Sequence, residues 1–307
     1  MKLRSLLAIS LSSIALLSAS PAFADHHAAE PEAKAELPSG PEGPALWKVA
    51  DEDTTIYLFG TIHALPADLV WYDAEIDHAL QSADTVVTEI LMDPENEAAM
   101  QQLALQRGMF TDGTTLRSVL NDEQRATYEA ALGGMGLPVA SFDAFEPWMA
   151  GLTLTMLPLL QQGYDLNAGV DKIILANSAD KPKGALETAD FQLGIFDGLP
   201  QDEQIAFLVA AAEAADEAKP TLDKMVAEWI AGDADGLAAV MNEDMDTDDG
   251  LAEALLYDRN ANWAEWIKTR LETPGTVFIA VGAGHLAGEL SVQDYLEKRD
   301  IASVRVQ

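Results

Sequence analysis

The sequence predicts an α/β (α+β) protein. A central mixed β-sheet is built from two similar strand–Gly-x-x-His–helix–strand units at the chain ends, with a large helical insertion between them. Three observations predict it. Near the start, Thr55-Ile-Tyr-Leu-Phe-Gly60-Thr-Ile-His63 is a strand ending in Gly-x-x-His, followed by a helical stretch and a second strand. Near the end, Thr276-Val-Phe-Ile-Ala-Val-Gly282-Ala-Gly-His285 repeats that order. Between them, polar breaks separate segments with mostly helical patterning.

The elements follow in order. Ala45-Leu-Trp-Lys-Val-Ala50 and Thr55 to Phe59 flank Asp51-Glu-Asp-Thr54 and predict a β-hairpin. Residues 72–82 have a helical pattern, and 84–91 form a β-rich strand around Thr85-Val-Val-Thr-Glu89. Thr114-Thr115 precedes one short helix, and 122–132 forms the next, stopped by Gly133-Gly-Met-Gly136. Residues 145–160 are apolar but hold Glu146, Pro147 and Pro158, which predicts a buried helix rather than a membrane span. A helix begins at Gly169, and Lys183-Gly-Ala-Leu-Glu187 is a short strand. Helices are expected over 203–218, 222–231, 251–271 and 291–298. Strands are expected over 276–281 and 302–306. In parallel units of this kind, ligands sit beyond the carboxyl ends of the strands, where both motif histidines fall.

The N-terminus has the three parts of a secretory signal. Lys2 and Arg4 give a positive start, residues 6–17 are an apolar run, and Ala22-Phe-Ala24 is a small-x-small cleavage site. Residues 1–24 are therefore expected to be removed, with a periplasmic or secreted address and no transmembrane segment afterwards. Residues 25–44, rich in Ala, Glu and Pro, form an acidic leader without apolar periodicity, expected to be disordered. Residues 45–307 form a single domain.

The chain of 307 residues carries 18 Lys+Arg against 51 Asp+Glu, a net charge of −33. Such a charge repels phosphates and excludes nucleic acid as a partner. There is no Cys, which removes disulfides, thiolate zinc sites and a Cys nucleophile. No G-x-S-x-G, Walker or H-E-x-x-H pattern occurs. Gly282-Ala-Gly284-His-Leu-Ala287 formally matches a dinucleotide fingerprint, but the chain ends near the place of the ribose-binding acid and offers none. Asp244, Asp246 and Asp248 resemble a calcium loop that lacks its glycine and its terminal acid.

His63 and His285 are two of the three histidines beyond the leader; the third, His78, falls on the polar side of its helix. An imidazole at a strand end suits a transition metal or a general base. Glu89 lies in an apolar strand, where an unpaired carboxylate is expensive, so it either completes a His/His/Glu metal set or pairs with Arg259.

These stretches together resemble the TraB/GumN family. The likeness rests on Leu46-Trp-Lys-Val, Tyr57 to His63, Thr85 to Glu89, Glu146-Pro-Trp148, Gly169-Val-Asp171, Leu186-Glu-Thr188 with Gln192, Arg259-Asn260 with Trp263, and Val281 to Gly288. That family is related to the Tiki metallopeptidases, which share two Gly-x-x-His motifs and use a divalent metal. More distant relatives resemble erythromycin esterases and a haem-binding lipoprotein. The resemblance implies His63, Glu89 and His285 as ligands of a divalent cation such as manganese, cobalt or zinc. It implies Glu89, Glu187, Arg259 and Asn260 as catalytic groups, with Gly60, Asp171 and Gly282 lining the same cleft. The expected activity is metal-dependent hydrolysis of a peptide or another small substrate. The alternative is a non-catalytic periplasmic protein that binds a peptide, haem or a polysaccharide-related ligand.

Overall fold

The computed structural model describes residues 43–91, 93–242 and 250–307. The expected signal sequence, nearly all of the expected leader and the segment of Asp244, Asp246 and Asp248 lie outside the described residues.

The chain opens with the expected hairpin. Strand β1 (Leu46–Ala50) pairs antiparallel with β2 (Thr54–Thr61), and Asp51 accepts the backbone N–H of Thr54 at 2.8 Å to close the turn. A short strand β3 (Leu65–Pro66) follows, then helix α1 (Ala74–Ser82), capped by Asp73, and β4 (Thr85–Thr88). The insertion then runs through α2 (Pro94–Arg107), α3 (Leu116–Val119), α4 (Asp122–Gly134) and α5 (Pro147–Gln161). Strand β5 (Tyr164–Asp165) pairs with β3 in a two-stranded sheet, and α6 (Val170–Ala176) and β6 (Lys183–Ala185) follow. Next come α7 (Ala189–Asp197), α8 (Gln201–Ala214), α9 (Ala218–Ile230) and α10 (Ala234–Asn242). A turn at Gly250–Ala252 and a π-helical turn at Glu253–Tyr257 lead into α11 (Asp258–Arg270). The chain closes with β7 (Gly275–Gly282), a 3₁₀ turn at Ala283–Leu286, α12 (Val292–Glu297) and β8 (Ser303–Arg305).

The main sheet has the order β6-β4-β7-β2-β1-β8. β6, β4, β7 and β2 are mutually parallel, and β1 runs against both β2 and β8. The two repeated units therefore share one sheet, and their first strands, β2 and β7, are direct neighbours. Within a unit the two strands are not neighbours. β7 separates β2 from β4, and β2 with β1 separates β7 from β8.

Side-chain alternation sorts the strands into two cores. Phe59, Val86, Phe278 and Ala280 face the insertion, where they join Trp148, Leu159, Phe207 and Trp229. Ile56, Leu58, Val87, Val277, Ile279 and Val281 face the other way, onto Trp263 and Ile267 of α11 and Val292 and Leu296 of α12. Both faces of the sheet are thus covered, which is why its central strands have near-continuous apolar sequences. The segment read from its prolines as a buried helix is α5, with Trp148, Leu154 and Leu159 fully buried.

Two strand boundaries differ from the sequence expectation. β4 ends at Thr88 and β6 at Ala185, so Glu89 and Glu187 stand just beyond their strands rather than within them. The backbone of each continues the pairing, with Glu187 N–H donating to the Glu89 carbonyl at 2.8 Å. Helices α7 and α10 have no counterpart in the sequence reading. Among the described residues, no helix is long and apolar enough to cross a membrane.

Candidate functional site

Four adjacent parallel strands each lead, within a few residues of their ends, to a residue with acid–base or ligand chemistry. β6 leads to Glu187, β4 to Glu89, β7 to His285 and β2 to His63. The carboxyl ends of parallel strands are where α/β sheets place ligands. Gly60 explains how the two Gly-x-x-His motifs approach each other, because a Cβ there would come 3.0 Å from both Cα and Cβ of Ala283.

Helix α11 supplies the cation. The Arg259 side chain is 1 % exposed, and those of Glu89 and Glu187 are 7 % exposed. Arg259 Nη2 donates to Glu89 Oε2 at 2.5 Å and to Glu187 Oε2 at 2.9 Å. Its Nε donates to both Glu187 oxygens, at 3.0 and 3.1 Å. Nη1 donates to the carbonyl of Leu255, inside the π-helical turn, at 2.9 Å. Burial works against the charged guanidinium, but Glu89 and Glu187 outweigh it and hold its proton more tightly than water would. Gln192 of α7 donates its amide to Glu89 Oε2 and Glu187 Oε2, both at 2.9 Å, and Gly282 N–H donates to Glu89 Oε1 at 2.7 Å. Trp263, one turn beyond Arg259, donates Nε1–H to Glu187 Oε1 at 2.8 Å, and the guanidinium lies 4.9 Å from its ring.

His285 is fully buried beside this network. Asn260 donates its amide N–H to the carbonyl of Leu290 at 2.8 Å, so its oxygen faces the imidazole and accepts from Nδ1–H at 2.6 Å. This fixes the tautomer. Nε2 therefore carries the lone pair and accepts from Arg259 Nη1 at 3.2 Å. It also stands 3.8 Å from Glu89 Oε1. Burial first, then the charges of Arg259 and His63, pushes the His285 proton affinity well below that of a free imidazole. The anchoring Leu290 has φ 58°, an uncommon conformation for a leucine.

His63 makes a separate pair. Its Nδ1 lies 2.5 Å from Asp171 Oδ2, with both side chains 12 % exposed. Asp171 sits in the first turn of α6, and the helix is tied to the motif by Val170 N–H donating to the Ile62 carbonyl at 2.9 Å. Burial alone would raise the Asp171 carboxyl, but the neighbouring imidazole outweighs it and the net shift is downward.

The structure therefore joins Glu89, Glu187, Arg259, Asn260, His285 and Gly282 in one hydrogen-bonded network. It places His63 with Asp171 at that network's flank, near enough for His63 to act electrostatically on His285. Of the two readings open for Glu89, the ion pair with Arg259 is present. His78 is exposed, as its helix position predicted. Two members of the network, Gln192 and Trp263, had no role assigned from the sequence beyond their place in the family pattern.

The donor types, imidazole and carboxylate, are ones that a divalent cation accepts. Two imidazoles each have Nδ1 held by an oxygen partner, the usual outer-shell arrangement of metal-binding histidines. Glu89 and Glu187 also bring two carboxylates against one guanidinium. As the side chains stand, however, Arg259 occupies both Glu89 and His285. Among the described residues, no three His, Asp or Glu side chains are arranged to hold a metal ion.

Fold and site define a three-layer α/β protein with a buried acid–arginine–histidine network at the ends of four parallel strands. The chain belongs to the TraB/PrgY/gumN family, whose model matches residues 45–305. It is 22% identical over 267 residues to an uncharacterized protein of Treponema pallidum (strain Nichols), covering 83% of this chain and 80% of that one. It is 24% identical over 239 residues to the uncharacterized protein YbaP of Escherichia coli (strain K12), covering 76% and 84%. YbaP of Shigella flexneri matches to the same extent. No solved structure matches the chain.

Proposed function

We propose that this protein is an exported, metal-dependent hydrolase acting on a peptide or another small substrate, with His63, Glu89 and His285 as the metal-holding residues. The observation that carries the reading is the delivery of these three side chains by the ends of three neighbouring parallel strands, β2, β4 and β7. A divalent cation such as manganese, cobalt or zinc would polarise a carbonyl and acidify a bound water.

The chain's own residues then divide the work. Asp171 orients His63 through its Nδ1. Asn260 does the same for His285, and Gln192 keeps the two glutamates side by side. Glu89 and Glu187 are engaged by Arg259, so neither is placed as a general base while that contact lasts. The export half of the proposal rests on Lys2, Arg4, the apolar run and Ala22-Phe-Ala24. N-terminal sequencing of exported protein should begin at Asp25.

The test of chemistry is metal stoichiometry together with cleavage of an unbiased peptide library, for wild type, His63→Ala, His285→Ala and the control His78→Ala. Metal and cleavage should be lost in the first two variants and kept in the third. Cleavage that survives both motif substitutions removes the reading. Metal bound without turnover favours a non-catalytic binding protein.

A further inference from the structure

We infer that Arg259 is the resident cation of this site, and that its guanidinium and a divalent metal exclude each other at Glu89 and His285. The inference rests on the metal-holding role proposed above and adds a control to it. Asn260 leaves His285 with a single lone pair, on Nε2, and Arg259 Nη1 donates into that lone pair at 3.2 Å. A metal would need the same orbital. Arg259 Nη2 likewise holds Glu89 Oε2 at 2.5 Å. Two of the three donors are therefore engaged by one side chain.

The contacts are unequal. Glu187 receives Nε and Nη2 side-on through both of its oxygens, whereas Glu89 receives only Nη2 and His285 only Nη1. A forked guanidinium–carboxylate pair is the stronger arrangement. Because the guanidinium is planar and rigid, it gives up Glu89 and His285 only by pivoting on Glu187, which releases part of the side-on pair and keeps the rest. This makes Glu187 the holder of the arginine rather than a ligand or base. The site then has two forms, arginine-latched and metal-loaded, and Asn260 keeps His285 in place in both.

The test titrates Co²⁺, followed by its visible absorption, into wild type, Arg259→Lys and Arg259→Gln. Lysine keeps the charge but carries a single ammonium, which cannot serve Glu187, Glu89 and His285 together. Both variants should bind Co²⁺ at least about tenfold more tightly than wild type, the factor carried by one charge-assisted hydrogen bond. Should the variants fold poorly, wild type alone decides. In ¹⁵N-labelled protein, the Arg259 side-chain N–H resonances should shift as diamagnetic Zn²⁺ is added. Equal Co²⁺ affinity in folded variants, or unmoved Arg259 resonances at full Zn²⁺ occupancy, overturns the latch and leaves the hydrolase proposal standing. Absence of binding in every protein overturns both.

Discussion

Arg259 and Glu89, 170 residues apart in sequence, meet at 2.5 Å where both side chains are almost fully withdrawn from water. The pair joins the two halves of the molecule. Glu89 follows a strand of the first Gly-x-x-His unit, and Arg259 sits on the helix that leads into the second. The attraction within such a pair is offset by the cost of removing both charges from water, so an intact pair stabilises little. What matters is the penalty for breaking it.

Arg259→Met should therefore destabilise the protein by about 3–5 kcal/mol, because it strands Glu89 and Glu187 without their cation. Glu89→Gln should cost less, since an amide oxygen still accepts from Gly282 N–H and Arg259 keeps Glu187. Urea unfolding of both variants measures this. An Arg259→Met protein within about 1 kcal/mol of wild type would show that the network is not held by its charge.

His63→Ala should destabilise in a pH-dependent way. In the native protein His63 holds the Asp171 carboxyl below its ordinary value of 3.8. That contribution is present above pH 3.8 and is lost as pH falls through the lower folded value. Without the imidazole, the main influence opposing burial is gone, and burial penalises the ionised carboxylate. The gap between variant and wild type should be about 1–3 kcal/mol at pH 7 and should narrow towards pH 4. A gap that is constant over this range would mean that His63 stabilises by packing alone.

Much of this arrangement was legible in the sequence. The turn at Asp51 and two alternating runs give the hairpin. The repeated Gly-x-x-His gives two strand ends, and their adjacency follows once both strands share a sheet. The interleaving of the units was not legible, because β7 inserts between β2 and β4 through pairings that no local pattern encodes. Helix α7 was missed because Gly194 and two aspartates dilute its periodicity, and α10 begins with an Asp-Gly pair that suggests a turn. The site residues could be chosen by type and place, but their bonding could not. An ion pair between Glu89 and Arg259 and a metal set at Glu89 look alike from a strand of isolated apolar residues. Only the direction of the α11 face separates them.

His285 provides a test through acid stability in the metal-free protein. Burial, Arg259 and His63 keep its imidazole neutral well below the ordinary value of 6.5. Above that pH the ring is neutral both folded and unfolded, and it contributes no slope. Below it, the unfolded chain takes up a proton that the native ring refuses, so stability falls as pH falls. The slope from one such proton is about 1.4 kcal/mol per pH unit. Urea midpoints between pH 7.5 and 5, with chelator present, should show this slope in wild type and a shallower one in His285→Gln. Equal slopes would mean that His285 is protonated in the native state.

The last prediction concerns Gly169, which holds α6 against the first motif. Its backbone has φ −55°, so a side chain there would meet no conformational strain. Space is the constraint. A Cβ would lie 2.2 Å from the carbonyl oxygen of His63, 2.8 Å from its carbonyl carbon and 3.1 Å from the carbonyl oxygen of Leu166. All three are backbone atoms and cannot swing aside, so α6 must move, and Asp171 moves with it. Gly169→Ala should cost at least about 1–3 kcal/mol. It should also weaken metal binding in the same direction as His63→Ala, because Asp171 no longer holds the imidazole. Gly133→Ala is the matched control. It lies in the last turn of α4, where a Cβ meets nothing within 4 Å, and it should stabilise by about 0.4–1 kcal/mol through the unfolded chain. Urea unfolding of both variants, with Co²⁺ titration of each, separates the two effects. If Gly169→Ala unfolds with wild type and binds Co²⁺ as wild type does, the close approach of α6 to His63 is not what positions the pair.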